Sequence, residues 1–317
     1  MLLDIAQQHL GIILLFVAIC AERILPLSRA YHPFTLLKLI FSNIQSRIFD
    51  PKSTIQYQYL AGTLGLILPV LTLLTLVWGI LYFAIYPQWL AAFILYLCIE
   101  SKELESAVKK IPALLKHNQK AAARDLLRLW LRRDTASLSE VGIVKASIET
   151  LVLRLARHYF AVIFWFLIAG PFVALSYRLI NLVHNTWSKK IAPDAAFLKP
   201  VQIIDYLFEW LPVRLVACSI ILSKHSRLAI RYIGQYGQFF YQKNSGWLLS
   251  AMAAAMQIQI GGPALYQKKR YAKMRVGQGP LPSTRAIPHA LGILNQVKIL
   301  WLSVIILLEI AVVFLKI

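Results

Sequence analysis

The 317-residue chain is poor in the side chains that most enzymes and metal sites draw on. It has three cysteines, Cys20, Cys98 and Cys218, each inside an apolar segment and far from the others. That spacing leaves no CxxC motif or Cys/His cluster, and the three are expected to be small buried hydrophobes. The seven histidines are scattered without an HxxxH pair, so no metal site is expected. No Gly-x-Ser-x-Gly elbow, Walker loop or metalloprotease helix occurs, and no catalytic nucleophile is assigned. Acids are scarce, 14 Asp and Glu against 34 Lys and Arg. No internal repeat, low-complexity tract or signal-peptide cleavage pattern is evident; the first apolar run, from Gly11 to the Glu22-Arg23 pair, reads as a retained span.

What is present is apolar and basic. Hydrophobic residues make up 58% and charged residues only 15%, which places the chain in the membrane class. The net charge of +20 fits either a nucleic-acid binder or the positive-inside bias of a bacterial membrane protein. The long apolar runs favour the membrane and exclude nucleic acid as the expected partner. Four runs, 10–25, 60–82, 159–183 and 299–315, approach the roughly 20 residues of a crossing helix. Two weaker ones lie at 83–99, closing a hairpin with 60–82, and at 206–223, which carries Glu209 and Arg214. Lys and Arg number four in 26–59, twelve in 100–157, three in 184–204 and ten in 223–296. Six spans put the three richest segments on one side, so the expectation is an all-α bundle of about six spans in the inner (plasma) membrane of a bacterium. Residues 1–317 form a single domain, the basic segments are cytoplasmic, and 184–204 and both termini lie outside.

The cytoplasmic segments 100–157 and 223–296 carry structure of their own. Leu104, Ala107, Val108, Ile111, Leu114 and Leu115 recur at helical spacing, interrupted by Pro112, and 124–133 alternates basic and apolar faces. Such helices either rest on acidic lipid or pack on the bundle with a solvated basic face. Residues 261–288, with the basic cluster Lys268-Lys269-Arg270, read as a loop, and Gly277-Gln278-Gly279 within it is a weak phosphate-loop signal. Arg178 and Arg214 lie in or beside spans; each is either an anion-binding guanidinium or a side chain snorkelling to the interface. Asn244-Ser245-Gly246 reads as a helix cap, which would serve an anion or simply cap, and Gly261-Gly262-Pro263 closes that helix.

Taken in order, these segments resemble the CobD/CbiB family. The resemblance runs through His32-Pro33, Arg133-Asp134-Thr135, Glu149, Phe164-Trp165, Tyr177-Arg178 with Asn181, Leu211-Pro212-Val213-Arg214, Asn244-Ser245-Gly246-Trp247, Ala251-Met252-Ala253, Gly261-Gly262-Pro263 and Tyr266. It implies a membrane protein of cobalamin synthesis that joins aminopropanol, or its phosphate, to adenosylcobyric acid with Mg-ATP. It also implies a ligand-binding set of His32, Glu149, Tyr177, Arg178, Asn181, Arg214, Asn244, Ser245 and Gly246 for an anionic or corrinoid-type molecule; of these, Arg178, Asn181, Arg214 and the Asn244–Gly246 turn are expected to converge on one polar cavity at the cytoplasmic half or midplane. The chain departs from the family pattern where acids or Asn are expected: these positions hold Leu153, Arg154, Arg157, His184, Tyr206, Glu209 and Leu249. Arginine repels Mg²⁺ where a carboxylate would ligate it, so weak or absent turnover is expected. A second resemblance, of 160–177 and of Trp210-Leu211-Pro212-Val213-Arg214, is to AmpE, and implies a non-catalytic signalling or ligand-binding protein of the inner membrane.

Overall fold

The structure is a computed structural model, described here for residues 10–131, 133–223, 225–240, 242–266 and 269–315. The chain is helical apart from two short strand pairs, and it divides into two compact units. One comprises residues up to Lys102 together with His158–Leu211; the other comprises Glu103–Arg157 and Pro212–Ile317.

In the first unit, α1 (Leu10–Ile24), α2 (Pro33–Ile48), α3 (Ile55–Phe83) and α4 (Pro87–Cys98) follow in order. Helix α2 starts where His32 Nδ1 accepts from the Phe34 amide at 3.2 Å, with Pro33 at its first position, where its missing N–H costs nothing. Thr54 caps α3 by accepting from the Tyr57 amide at 3.3 Å. Residues 53–99 contain no charged side chain. Gly62, Gly65, Leu66 and Val70 form the buried face of α3, whereas Leu60, Leu64, Leu68, Leu71, Leu76 and Ile80 are exposed. Gly62 is required because a Cβ there would strike the Phe197 carbonyl. At 1.5 Å per residue, α3 is about 43 Å long, enough to cross a hydrocarbon core of about 30 Å; α4 is about 18 Å long.

Helix α8 (Ala161–Trp187) is not one straight rod. Ala169 (φ −140°, ψ 15°) and Gly170 (φ 75°, ψ −171°) leave helical geometry immediately before Pro171, which contributes no amide donor. The chain doubles back there. His158 and Asn181, 23 residues apart and about 34 Å apart along a straight helix, are in hydrogen-bond contact at 3.1 Å. Trp165 donates to the Phe208 carbonyl at 3.1 Å, and Tyr177 stacks on the Phe208 ring at 6.1 Å, so the two arms meet the same residue. The run 159–183 is therefore not one straight helix. The apolar pattern was real, but Gly170-Pro171 breaks the helix at its centre. Helix α9 (Lys199–Ser223), preceded by a 3₁₀ turn at Ala196–Leu198, contributes its first half to this unit.

The second unit contains α5 (Lys102–Lys116), α6 (Lys120–Arg128), α7 (Glu140–Leu155), α10 (Ser226–Tyr232), α11 (Lys243–Met256) and α12 (Ala286–Leu315). Leu104, Val108, Ile111 and Leu115 of α5 and Ala123 and Leu127 of α6 are buried, so their apolar faces pack on protein. Residues 261–288 are not wholly a loop. Strand β1 (Ile260–Gly261) pairs antiparallel with β4 (Arg275–Val276), and β2 (Ala264–Tyr266) pairs with β3 (Lys269–Tyr271). Lys268 lies outside the described residues. Gly261, Gly262 and Gly277 have φ of +73°, +110° and +91°, so these glycines serve the turn geometry of the strand pair. Helix α11 ends earlier than expected, at Gln257 in the left-handed conformation (φ 53°), and not at Gly261.

Among the described residues, three helical runs are long and apolar enough to cross a membrane: Ile55–Phe83, Glu140–Trp187 and Ala286–Phe314. The second contains the break at Gly170.

Candidate functional site

Two polar clusters are built, one in each unit. In the first, Glu100 follows directly after the uncharged run and gathers two arginines and a histidine. Its Oε1 accepts from Arg29 Nη2 at 3.1 Å; its Oε2 meets Arg178 Nη2 at 3.2 Å and His158 Nδ1 at 3.1 Å. Arg178 is only 2% exposed, and its guanidinium lies 5.1 Å from the centre of the Phe34 ring. It is an interior charge, and the snorkelling alternative is not what this side chain does. His32 is buried beside Phe34, with ring centres 4.9 Å apart. Burial, and then the positive charge of Arg178, hold the His32 pKa below its ordinary value. A neutral ring suits its role, because Nδ1 must accept the Phe34 amide.

Asn181 links this group to α9. Its Nδ2 donates to Asp205 Oδ1 at 3.0 Å and to Glu209 Oε1 at 3.2 Å, which fixes the amide orientation. Its Oδ1 therefore faces His158 Nε2 at 3.1 Å and Asn185 Nδ2 at 2.7 Å. An amide oxygen only accepts, so His158 donates from Nε2. An ionised carboxylate also only accepts, so the His158–Glu100 pair holds a second proton, on Nδ1 or on the carboxyl. Beyond Asn181, His184 Nδ1 contacts Asp205 Oδ2 at 2.5 Å. Asn181, Asp205 and Glu209 are each 3% exposed or less. A separate carboxylate, Glu22, is also buried, accepting from Ser101 N at 2.8 Å, Ser101 Oγ at 2.9 Å and Lys102 N at 2.7 Å, where it caps the start of α5.

In the second unit, Arg214 Nη1 donates to Asn244 Oδ1 at 3.1 Å and lies 4.8 Å from the centre of the Trp247 ring. Arg157 Nη2 donates to Ser245 Oγ at 3.1 Å. Asn244 and Ser245 therefore sit inside the first turn of α11, after Gln242, and receive arginines instead of capping the helix. Gly246 leaves room for the backbone of Gly237 and for Phe240; a Cβ would collide with both. Glu149 accepts from the Gly261 amide at 2.8 Å and pairs with Arg133 at 3.2 Å, tying α7 to the strand pair. Arg154 donates to the Trp130 carbonyl at 3.2 Å and lies 5.3 Å from that ring.

The sequence-derived set thus falls into His32, Tyr177, Arg178 and Asn181 in one cluster, and Glu149, Arg214, Asn244, Ser245 and Gly246 in the other unit. Glu100 and His158 were not among the expected residues. A signal existed for Glu100, which is the first charge after 47 neutral residues.

Both oxygens of Glu149, Asp205 and Glu100 already accept from protein donors. Among the described residues, no group of three or more His, Cys, Asp or Glu is arranged to hold a metal ion.

A chain that is helical apart from two short strand pairs, with three described helical runs long and apolar enough to cross a membrane, fits the class of helical membrane proteins. The sequence model of the CobD/Cbib protein family matches residues 15–294, and the chain belongs to that family. It is 32% identical over 219 residues to the cobalamin biosynthesis protein CobD of Stutzerimonas stutzeri, covering 68% of this chain and 72% of that one. The protein of the same name from Chromobacterium violaceum is 28% identical over 208 residues, 66% and 67% of the two chains. That from Clostridium perfringens is 26% identical over 260 residues, 78% and 81%. No solved structure matches the chain.

Proposed function

We propose that this chain is an inner-membrane protein of cobalamin biosynthesis that binds an anionic ligand of the corrinoid-assembly step but has little or no Mg-ATP-dependent amide synthesis. The step in question joins aminopropanol, or its phosphate, to adenosylcobyric acid. Family membership supports the pathway. The observation that carries the rest is the electrostatics of the two clusters: their carboxylates are already engaged by arginine, histidine, asparagine or backbone amide, and guanidinium groups stand at 154 and 157, where the family resemblance expects acids. Arginines held by planar stacking and hydrogen bonds suit phosphate or carboxylate recognition, whereas magnesium needs hard oxygen ligands with free lone pairs. The chain lies in the plasma membrane as one CobD/CbiB-like domain, with segments 26–59, 100–157 and 223–296 in the cytoplasm and both termini outside.

Complementation tests the reading. In cells deprived of their own family synthase, expression of this chain should not restore corrinoid-dependent growth, although the protein accumulates in the membrane fraction. Full restoration, abolished by Glu149→Gln, would overturn the proposal and make the chain a working synthase. The non-catalytic AmpE-like role is the second reading. It gains if the purified protein also fails to bind adenosylcobyric acid or aminopropanol phosphate.

A further inference from the structure

Residues 158–187 carry polar groups on an element that turns back on itself. The first arm runs from His158 to Ile168, and the second from Pro171 to Trp187. The first arm continues the helical run that begins at Glu140, with no break before Ala169, and the second spans about 26 Å. His158 and Asn181 lie side by side, so the chain on the two sides of the Gly170 break is brought back together. Helix α9 packs on both arms through Phe208, and on Asn181 through Asp205 and Glu209.

We propose that residues 158–187 form a re-entrant hairpin that enters and leaves the membrane on the cytoplasmic side, so that the Glu100–His158–Asn181 cluster takes its ligand from the cytoplasm. This rests on the chain being a membrane protein. Irregular backbone at membrane depth is stable only where protein or a water-filled cavity satisfies it, and broken helices of this kind commonly carry binding sites. The charge distribution agrees. A single crossing by 159–183 puts Lys189, Lys190 and Lys199 outside; a hairpin returns them to the side that already holds the segments with four, twelve and ten Lys and Arg. Helix α9, whose Asp205 and Glu209 meet Asn181, then does not cross, which keeps 223–296 cytoplasmic and both termini outside. The more exposed members of the cluster are Arg29 and Glu100, at 27% and 19% of their side chains. They are the ends at which a charged, water-soluble molecule first meets it.

Asp194, exposed in the segment after the hairpin, is the place to test this. The full chain with Asp194→Cys is treated with a membrane-impermeant maleimide in intact spheroplasts and in inverted vesicles. The parent chain, with its native Cys20, Cys98 and Cys218, supplies the background. The expected result is labelling above background in inverted vesicles alone. Labelling in intact spheroplasts, or from neither side, overturns the hairpin. Recovery of the protein in the soluble fraction after an alkaline carbonate wash would instead sink the membrane reading on which it rests. A second variant, Lys190→Cys, repeats the test four residues nearer the hairpin, with the same two outcomes.

Discussion

His32 shows how far one side chain's protonation is set by its neighbours. Its Nδ1 caps α2, and burial together with Arg178 lowers its pKa from the ordinary 6.5. The native state therefore resists protonation more than the unfolded chain does. The stability this contributes is complete above about pH 6.5 and is lost as pH falls through the lower native value. Melting temperature in detergent should drop between pH 7 and pH 5 in the parent chain, and drop less in His32→Asn, which keeps a capping oxygen without a titrating ring. Parallel pH profiles for the two proteins would show that His32 is not the group responsible. Glu100 carries more of the stability. Glu100→Ala leaves the Arg178 guanidinium buried without that counter-charge, an effect on the order of 3 kcal/mol. Differential scanning fluorimetry should register it as the loss of several degrees; an unchanged melting temperature would mean the cluster is held by other contacts. At this scale the sequence was partly legible. Arg178, Asn181, Arg214 and Asn244 stood out as polar residues in apolar surroundings, and each takes part in a cluster. Glu100 was marked only as the first charge after a long neutral run, and its pairing with His158, 58 residues away in the chain, is one that no local pattern encodes.

Among the elements, the folded-back α8 departs most from its sequence pattern. Hydropathy over 159–183 is continuous and gives no hint of direction. Only Gly170-Pro171 marks the turn, and the same pair is tolerated in kinked crossing helices, so composition alone favoured one span. The conformation of Gly170 makes the point testable. At φ 75° and ψ −171° a side chain is strained, although nothing lies within 4 Å of where a Cβ would stand. Gly170→Ala should therefore destabilise by about 1–3 kcal/mol through backbone strain alone. Val173→Ala, nearby in ordinary helix, serves as the control. Equal effects of the two substitutions would argue against the turn. The amphipathic helices α5 and α6 followed their periodicity closely, because buried residues at 104, 108, 111 and 115 repeat as a helix face must. The strand pairs at 260–276 were missed, since runs of two or three residues carry no readable alternation and their glycines resemble those of any loop.

For the whole molecule, the family was legible because many weak matches fall in the right order along the chain, and residues 15–294 carry the match. The chemistry is less plainly written. Arginine at 154 and 157 removes charge that magnesium would need, while Arg157 and Arg214, fastened to Ser245 and Asn244, keep a surface suited to anions. Binding and turnover should therefore separate. Arg214→Lys keeps the charge but gives up the planar stacking over Trp247, and should weaken binding of aminopropanol phosphate by about tenfold, a loss of about 1.4 kcal/mol, as read by calorimetry. The most direct measurement combines both properties in one preparation. Purified protein in detergent is supplied with Mg-ATP, adenosylcobyric acid and aminopropanol phosphate, beside an active family synthase, with product followed by chromatography and binding by calorimetry. The expected result is saturable binding of adenosylcobyric acid or of the phosphate, with no product above the enzyme-free control. Product formation at a rate comparable to the active synthase, and lost in Glu149→Gln, would contradict it.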